Sequence, residues 1–136
     1  MRVVVDTNVL VSAYLNPFGL PGEIARLVSS GTLTLCYDAR ILWEYNQVLS
    51  RAEFSFDPVH IRDLLDQIEL SGHLVAPIPI PTGLPHEDDE PFLEVALAGQ
   101  VEYLITGNTR HFPKDKCAGM KVGTPAEFME YYRELI

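Results

Sequence analysis

Three consecutive β-branched residues near the start of the chain, Val3 to Val5, run directly into an acidic residue, Asp6. A short apolar run of this kind is typical of a strand buried in a parallel sheet. A carboxylate at its end must be paired, hydrogen-bonded or metal-bound, because burying it alone is costly. Ligands of open α/β sheets also bind at the carboxyl ends of strands. Asp6 is therefore the first candidate for chemistry, although Thr7 and Asn8, which cap and turn well, leave open a purely structural strand end.

The length of 136 residues predicts one domain, 1–136, that buries a core without disulfides. Cys36 and Cys117 lack the spacing of a zinc or redox site, so we expect a reduced, cytoplasmic protein. No apolar run has the length of a membrane span or signal peptide, and no membrane association is expected. The formal net charge of −9 argues against tight, metal-free binding of nucleic acid, but bound divalent cations can supply local positive charge.

Strand patterns alternate with helix patterns along the chain. This alternation predicts an α/β domain with a central parallel sheet of about four to five strands flanked by helices. After the first strand, the predicted strands cover 33–37, 101–106 and 120–123, with a short edge strand within 73–78. The predicted helices cover 23–30, 39–51, 58–71, 91–98 and 125–135.

Glu44 borders the apolar stripe of the helix that follows Asp38. A glutamate in such a position is often only a solvated edge residue. Here the helix comes directly after the second strand, so its first turns lie near the carboxyl end of the sheet, where Asp6 also lies. Glu44, in the second turn, is therefore a second candidate.

Four successive acids, Glu87 to Glu90, precede the helix that contains Pro91. Acids at a helix N-terminus are stabilised by the helix dipole, by roughly 0.3–1 kcal/mol each, which is the simpler explanation. Four adjacent acids repel one another, however, and a divalent cation is a direct way to hold them. The pair Asp88 and Asp89 is the third candidate.

Asn108 follows the 101–106 strand after Gly107, whose freedom lets the backbone turn. The stretch 109–116 then holds three of the ten basic residues, Arg110, Lys114 and Lys116, in an acidic chain; a solvated loop would explain them as well. The strand ends place the acids and Asn108 on one side of the sheet. Such oxygen ligands, without cysteine or lysine, suit Mg²⁺ or Mn²⁺ better than zinc.

These segments together resemble the PIN-domain nucleases, in particular the bacterial and archaeal branch that includes VapC-type toxins of toxin–antitoxin pairs. The resemblance covers essentially the whole chain. It lies in the strand that ends Asp6-Thr7-Asn8, the helical Glu44, the acidic pair before Pro91–Ala98, and Leu104–Phe112.

The resemblance implies a metal-dependent ribonuclease in which a metal-activated water attacks an RNA phosphodiester in line. Asp6 matches the family's first acid, Glu44 its second and Asp89 its third, and these three are expected to be catalytic. The expected metal ligands are Asp6, Asp89, Asp88, Glu44 and Asn108; Thr7, Asn8 and Thr106 are expected to support them, and Arg110 and His111 to touch a phosphate. Asn108 departs from the pattern, because many relatives carry a fourth aspartate there.

The resemblance also implies an RNA substrate, a small antitoxin protein as partner and a homodimer. A competing interpretation is a catalytically weak or inactive PIN-like module that binds RNA or a protein, since Asn108 contributes no charge. A phosphatase-type hydrolase with Asp6 as covalent nucleophile fits less well, because the second acid it needs would stand at Asn8.

Overall fold

The computed structural model describes residues 1–136 and contains five strands and six helices. The strands are β1 Arg2–Val5, β2 Thr34–Tyr37, β3 His73–Leu74, β4 Tyr103–Ile105 and β5 Val122–Gly123. The helices are α1 Thr7–Leu15, α2 Leu20–Ser29, α3 Ala39–Leu49, α4 Pro58–Ser71, α5 Glu90–Ala98 and α6 Pro125–Leu135. Short 3₁₀ turns cover Ala52–Phe54, Glu87–Asp89, Thr109–His111 and Lys114–Lys116.

The sheet is parallel throughout and has the strand order β3-β2-β1-β4-β5. The predicted α/β fold with a central parallel sheet is thus confirmed. β1 lies in the middle, with β2 on one side and β4 on the other, so the strand order changes direction at β1. In open α/β sheets, such a switch point opens a crevice at the carboxyl ends of the strands. The end of β1, where Asp6 follows Val5, faces this crevice.

Helices cover the apolar strands and complete one core of 31 buried residues. α5 packs against β1, β2 and β4, while α6 packs against β4 and β5. Two predicted caps are present: the Asp38 carboxylate accepts the Ile41 N–H at 3.1 Å, and Thr124 forms a capping box with Glu127. No helix combines the length and apolar character that a membrane crossing requires.

The structure differs from the sequence prediction most between β1 and β2, where two helices replace one. α1 begins at Thr7, directly after the strand, but the Asp6 side chain makes no capping hydrogen bond to it, so the usual start signal is absent. α2 begins at Leu20 and not at residue 23, because Pro21 occupies the first turn, where its missing N–H costs nothing. The last strand is also shorter than predicted, covering only Val122–Gly123.

Candidate active site

Asp6 is fixed by the pairing of β1 with β4. Val5 is in register with Ile105, and the Asp6 N–H donates to the Ile105 carbonyl at 2.8 Å. The next residues along the two strands, Asp6 and Thr106, therefore face each other. The Thr106 hydroxyl donates to Asp6 Oδ2 at 2.8 Å, and both side chains are buried. The strand register thus brings this carboxylate to the Thr106 hydroxyl.

Asn8 ties the start of α1 to the end of β4. Its amide nitrogen donates to Asp6 Oδ2 at 3.3 Å, and its carbonyl oxygen accepts the Gly107 N–H at 2.9 Å. Gly107 is not in the left-handed region, contrary to the expected role in a sharp turn. A Cβ on Gly107 would instead lie 3.1 Å from Asn8 Oδ1, so a larger residue here would press on the Asn8 side chain.

Glu44 is brought to the same edge of the sheet by α3. Its carboxylate accepts a hydrogen bond from the Thr7 hydroxyl at the start of α1. The next residue, Tyr45, is fully buried and donates its hydroxyl to the Val5 carbonyl at 2.5 Å. The sequence pattern predicts Tyr45 only as a member of the apolar stripe of this helix. In the structure its hydrogen bond joins α3 to the end of β1 and so helps to position Glu44.

The two neighbouring aspartates of the 3₁₀ turn Glu87–Asp89 differ in their surroundings. Asp89 is only 8% exposed and lies towards the other acids, whereas Asp88 is exposed. The buried Asp89 Oδ2 has one polar contact, with His111 Nδ1 at 2.9 Å. Asp89 is the aspartate whose charge acts on Asp6, whereas Asp88 has the larger charge effect on Glu44.

Asn108 and the turn Thr109–His111 complete the site on the Asp89 side. The Asn108 amide nitrogen lies 2.8 Å from His111 Nε2, and the Asn108 backbone N–H donates to the Thr106 hydroxyl at 3.0 Å. His86, which the sequence analysis did not single out, packs against the His111 ring with 4.3 Å between centroids. Arg110 is exposed beside this cluster and makes no ion pair.

Burial and mutual repulsion make the three acids costly to ionise. Burial raises the pKa of Asp6 to about 6; the charges of Asp89 and Glu44 add to the rise, and the Thr106 hydrogen bond opposes it. Burial likewise raises the pKa of Glu44, where Asp88 and Asp89 also contribute. Burial raises the pKa of Asp89 too, against the opposing charges of His111 and His86. The cluster lacks enough positive charge for three carboxylates.

The donor atoms near this edge are carboxylate oxygens, which hard divalent cations prefer, and the charges of Asp89 and Glu44 add to the raised pKa of Asp6. No three Asp, Glu, His or Cys side chains stand close enough together to enclose an ion. A Mg²⁺ ion held here would take one or two of these carboxylates and keep several waters.

Ion pairs connect α3 and α5, the helices on either side of the acids. The sequence analysis did not predict them. Arg40, one turn before Glu44, contacts Asp38 at 2.8 Å and the buried Glu94 at 2.7 Å. Glu94 lies on α5, the helix that follows Asp89, and its other oxygen accepts the Ile80 N–H at 2.9 Å. The sequence carried a signal, because Glu94 is the one charged residue within the apolar run of α5.

Comparisons with known proteins agree with this architecture. A family model described as PIN domain matches residues 2–110. The uncharacterized protein MJ1680 of Methanocaldococcus jannaschii is 27% identical over 146 residues, spanning all of this chain and 94% of the relative. The crystal structure of VapBC2 from Rickettsia felis, bound to a DNA fragment from their promoter, has a TM-score of 0.57 at 15% identity, over 91% of this chain and 98% of that one. At that identity the likeness shows the fold.

Proposed function

This chain belongs to the PIN domain family, and we propose that it is a metal-dependent endoribonuclease that hydrolyses RNA phosphodiester bonds. PIN domains are generally nucleases, which supports a hydrolase acting on nucleic acid. The observation that supports the proposal is that Asp6, Glu44 and Asp89 lie near the switch point of the sheet, close enough for the charges of Asp89 and Glu44 to add to the raised pKa of Asp6.

Asp6 and Asp89 are the residues we propose to hold Mg²⁺ or Mn²⁺ directly. Glu44 would act as a ligand or as a base through water, and Asp88 and Asn108 would be outer ligands. A bound divalent cation supplies charge neutralisation at the phosphodiester and lowers the pKa of a water.

The surrounding residues keep the acids in place. Thr106 and Asn8 orient Asp6 through Oδ2, so that its Oδ1 stays free of these contacts. Thr7 holds the Glu44 carboxylate towards the same edge. His111 and Arg110 are proposed to contact phosphate oxygens of the RNA, since both stand beside the acids and Arg110 is exposed.

We further propose one PIN-like domain over residues 1–136 that acts in the cytoplasm, as the toxin of a toxin–antitoxin pair. The fold likeness to VapBC2 supports a small antitoxin protein as partner. A homodimer is proposed by analogy with the family branch. The reading frame next to this gene tests the pairing, because a toxin of this type is encoded beside its antitoxin.

The nuclease proposal is tested by incubating a mixed RNA pool with the purified protein in Mg²⁺, in Mn²⁺ and in EDTA. Asp6→Asn, prepared identically, controls for contaminating nucleases. We expect cleavage that needs the metal and is lost in the variant. Equal cleavage by both proteins would assign the activity to a contaminant.

A second candidate function is a binding module of weak or absent activity. Asn108 favours it, because a neutral amide stands where many relatives carry a fourth aspartate. Metal binding without cleavage of any structured or unstructured RNA would support this function over the nuclease.

A further inference from the structure

The positive charge of this acidic chain is concentrated next to the candidate active site. All three lysines, Lys114, Lys116 and Lys121, lie within 110–121 together with Arg110, although the chain holds only ten basic residues against nineteen acids. The stretch contains a single acid, Asp115. All four basic residues are exposed, and none takes part in an ion pair. Free cations in an acidic protein mark where a polyanion can approach.

Two of these lysines line the largest cavity of the molecule, of about 710 Å³, which we call the β5-edge cavity. The 109–120 segment, β5 and α6 form its walls. Lys114 and Lys121 lie on its rim, and Phe112 and Tyr131 supply aromatic surface. Lys121 Nζ lies 4.5 Å from the centre of the Tyr131 ring and 3.2 Å from its hydroxyl. The one carboxylate in the lining, Glu127, is occupied by the capping box of α6.

The β5-edge cavity and the candidate active site are joined in sequence by one short turn. Thr109 lines the cavity, and His111, at the other end of the same turn, contacts Asp89. Arg110 lies between them, exposed.

The lysines fall outside the region that the family model matches, which ends at residue 110. Two other residues of the lining, Tyr103 and Thr109, fall inside the matched region. Cations that track a backbone beside an aromatic ring are the combination that proteins use to bind single-stranded nucleic acid.

We propose that the β5-edge cavity binds single-stranded RNA on one side of the cleaved bond, with phosphates on Arg110, Lys114 and Lys121. The proposal rests on the proposed function, because it takes RNA as the ligand. The protein has a net charge of −9, and the acids at the sheet edge would repel RNA. The exposed lysines would attract RNA locally in spite of that charge.

The test is fluorescence anisotropy of a labelled, mixed-sequence single-stranded oligoribonucleotide over a range of KCl concentrations, in Mg²⁺. The full chain carries Asp6→Asn so that the RNA stays intact. Lys114→Gln and Lys121→Gln, introduced singly, are compared with Arg62→Gln, which removes an exposed charge on α4 that is also free of ion pairs. Each lysine variant should weaken binding several-fold and reduce the slope of log Kd against log salt by about 0.7, whereas Arg62→Gln should change neither.

Unchanged binding in both lysine variants would overturn the proposal. Equal binding of a poly-glutamate peptide of matched charge, with the same lysine dependence, would overturn it in favour of an acidic protein partner.

RNA binding and RNA cleavage together distinguish a failure of this proposal from a failure of the proposed nuclease function. If the wild-type chain binds RNA with the expected lysine dependence but cleaves none, this proposal stands and the nuclease proposal fails. If the chain with its natural Asp6 cleaves RNA, Lys114→Gln combined with Lys121→Gln should raise KM and leave kcat unchanged. Cleavage with an unchanged KM in that variant would overturn the β5-edge cavity while the nuclease stands.

Discussion

Asp6 and Asp89 lie at the same edge of the sheet but are held in different ways. Asp6 is at the end of a central strand, and its Oδ2 accepts hydrogen bonds from Thr106 and Asn8. Asp89 is on a 3₁₀ turn, and its buried Oδ2 has one polar contact, with His111. The Asp6 half of the site, which also includes Thr7 and Glu44, is built by the sheet register. The Asp89 half, with His86, His111 and Asn108, is built by short turns.

This difference indicates separate roles for the two halves in binding a cation. The Asp6 half is organised before any metal arrives, because hydrogen bonds between neighbouring strands fix it. In the Asp89 half, the buried Oδ2 has only its 2.9 Å contact with the His111 ring, and both residues lie on short turns and not between strands.

The largest effect is expected from removing either buried carboxylate. Asp6→Asn and Asp89→Asn should each lower kcat/KM for RNA cleavage by about 10³-fold or more, roughly 4 kcal/mol of transition-state stabilisation. The physical reason is that each variant removes a charged oxygen proposed to hold the metal. Initial rates over a range of RNA concentrations measure the effect.

Asp88→Asn is the matched control for Asp89, because the two aspartates are adjacent and Asp88 is exposed. It should retain activity to within about tenfold, since the electrostatic effect of an exposed charge is small. A loss in Asp88→Asn as large as in Asp89→Asn would mean that both aspartates share the third acidic position.

The stability of the metal-free protein should fall as pH rises through the range in which Asp6 ionises. The pKa of Asp6 is about 6 in the folded protein, against an ordinary value of 3.8, so the folded state binds the proton more tightly. The corresponding stability is complete below pH 3.8 and is lost as the pH passes about 6, on the order of 3 kcal/mol. Glu44 and Asp89 shift in the same direction.

Urea unfolding in EDTA at about pH 4 and about pH 7.5 tests this loss of stability. Asp6→Asn should match the wild type at the lower pH and exceed it at the higher one, while Asp66→Asn on the exposed side of α4 should follow the wild type at both. Adding Mg²⁺ should recover stability in the wild type only. A wild type that gains stability with pH, in step with Asp6→Asn, would contradict the raised pKa of Asp6.

The two halves also differ in how far the sequence could predict them. The positions of Asp6 and Glu44 can be predicted from the strand and helix patterns around them. These patterns extend over only a few residues, and they indicate which end of each strand or helix lies at the sheet edge. The choice of Asp89 over Asp88 depends on which side of a 3₁₀ turn faces the core. That is decided by packing against His111, a residue distant in sequence.

Two other features could not be predicted from local sequence patterns. The Arg40–Glu94 pair joins residues on α3 and α5, and nothing local to either residue specifies the other. α1 was missed because its start at Thr7 has no side-chain cap and its apolar run continues directly from the strand. Where local signals agreed, as at Asp38 and Thr124, the predicted helix start was correct.

Thr106→Val should weaken the Asp6 half without changing its shape. The buried hydroxyl donates to Asp6 Oδ2 and accepts from the Asn108 N–H, so valine leaves both without this partner. We expect a loss of about 1–3 kcal/mol in stability and a 10–100-fold loss (roughly) in Mg²⁺ affinity. Calorimetric titration with Mg²⁺ measures the affinity.

Thr82→Val is the control for this substitution, because Thr82 is also buried and its hydroxyl accepts the Leu84 N–H but is not hydrogen-bonded to any of the acids. It should lose stability and keep its Mg²⁺ affinity. If both variants lose affinity equally, Thr106 acts through general stability and not through Asp6.

The smallest effect is expected from adding charge to the Asp89 half. Asn108→Asp restores the acid that many relatives carry, and it should raise Mg²⁺ affinity by about tenfold or less, because the new carboxylate is partly exposed and also meets His111. Asn46→Asp adds the same charge on α3 in the groove facing α4 and should leave the affinity unchanged. An unchanged affinity in Asn108→Asp would count against a second, weak metal position at Asn108. A gain of the same size in Asn46→Asp would mean that net charge, and not position in the Asp89 half, controls metal binding.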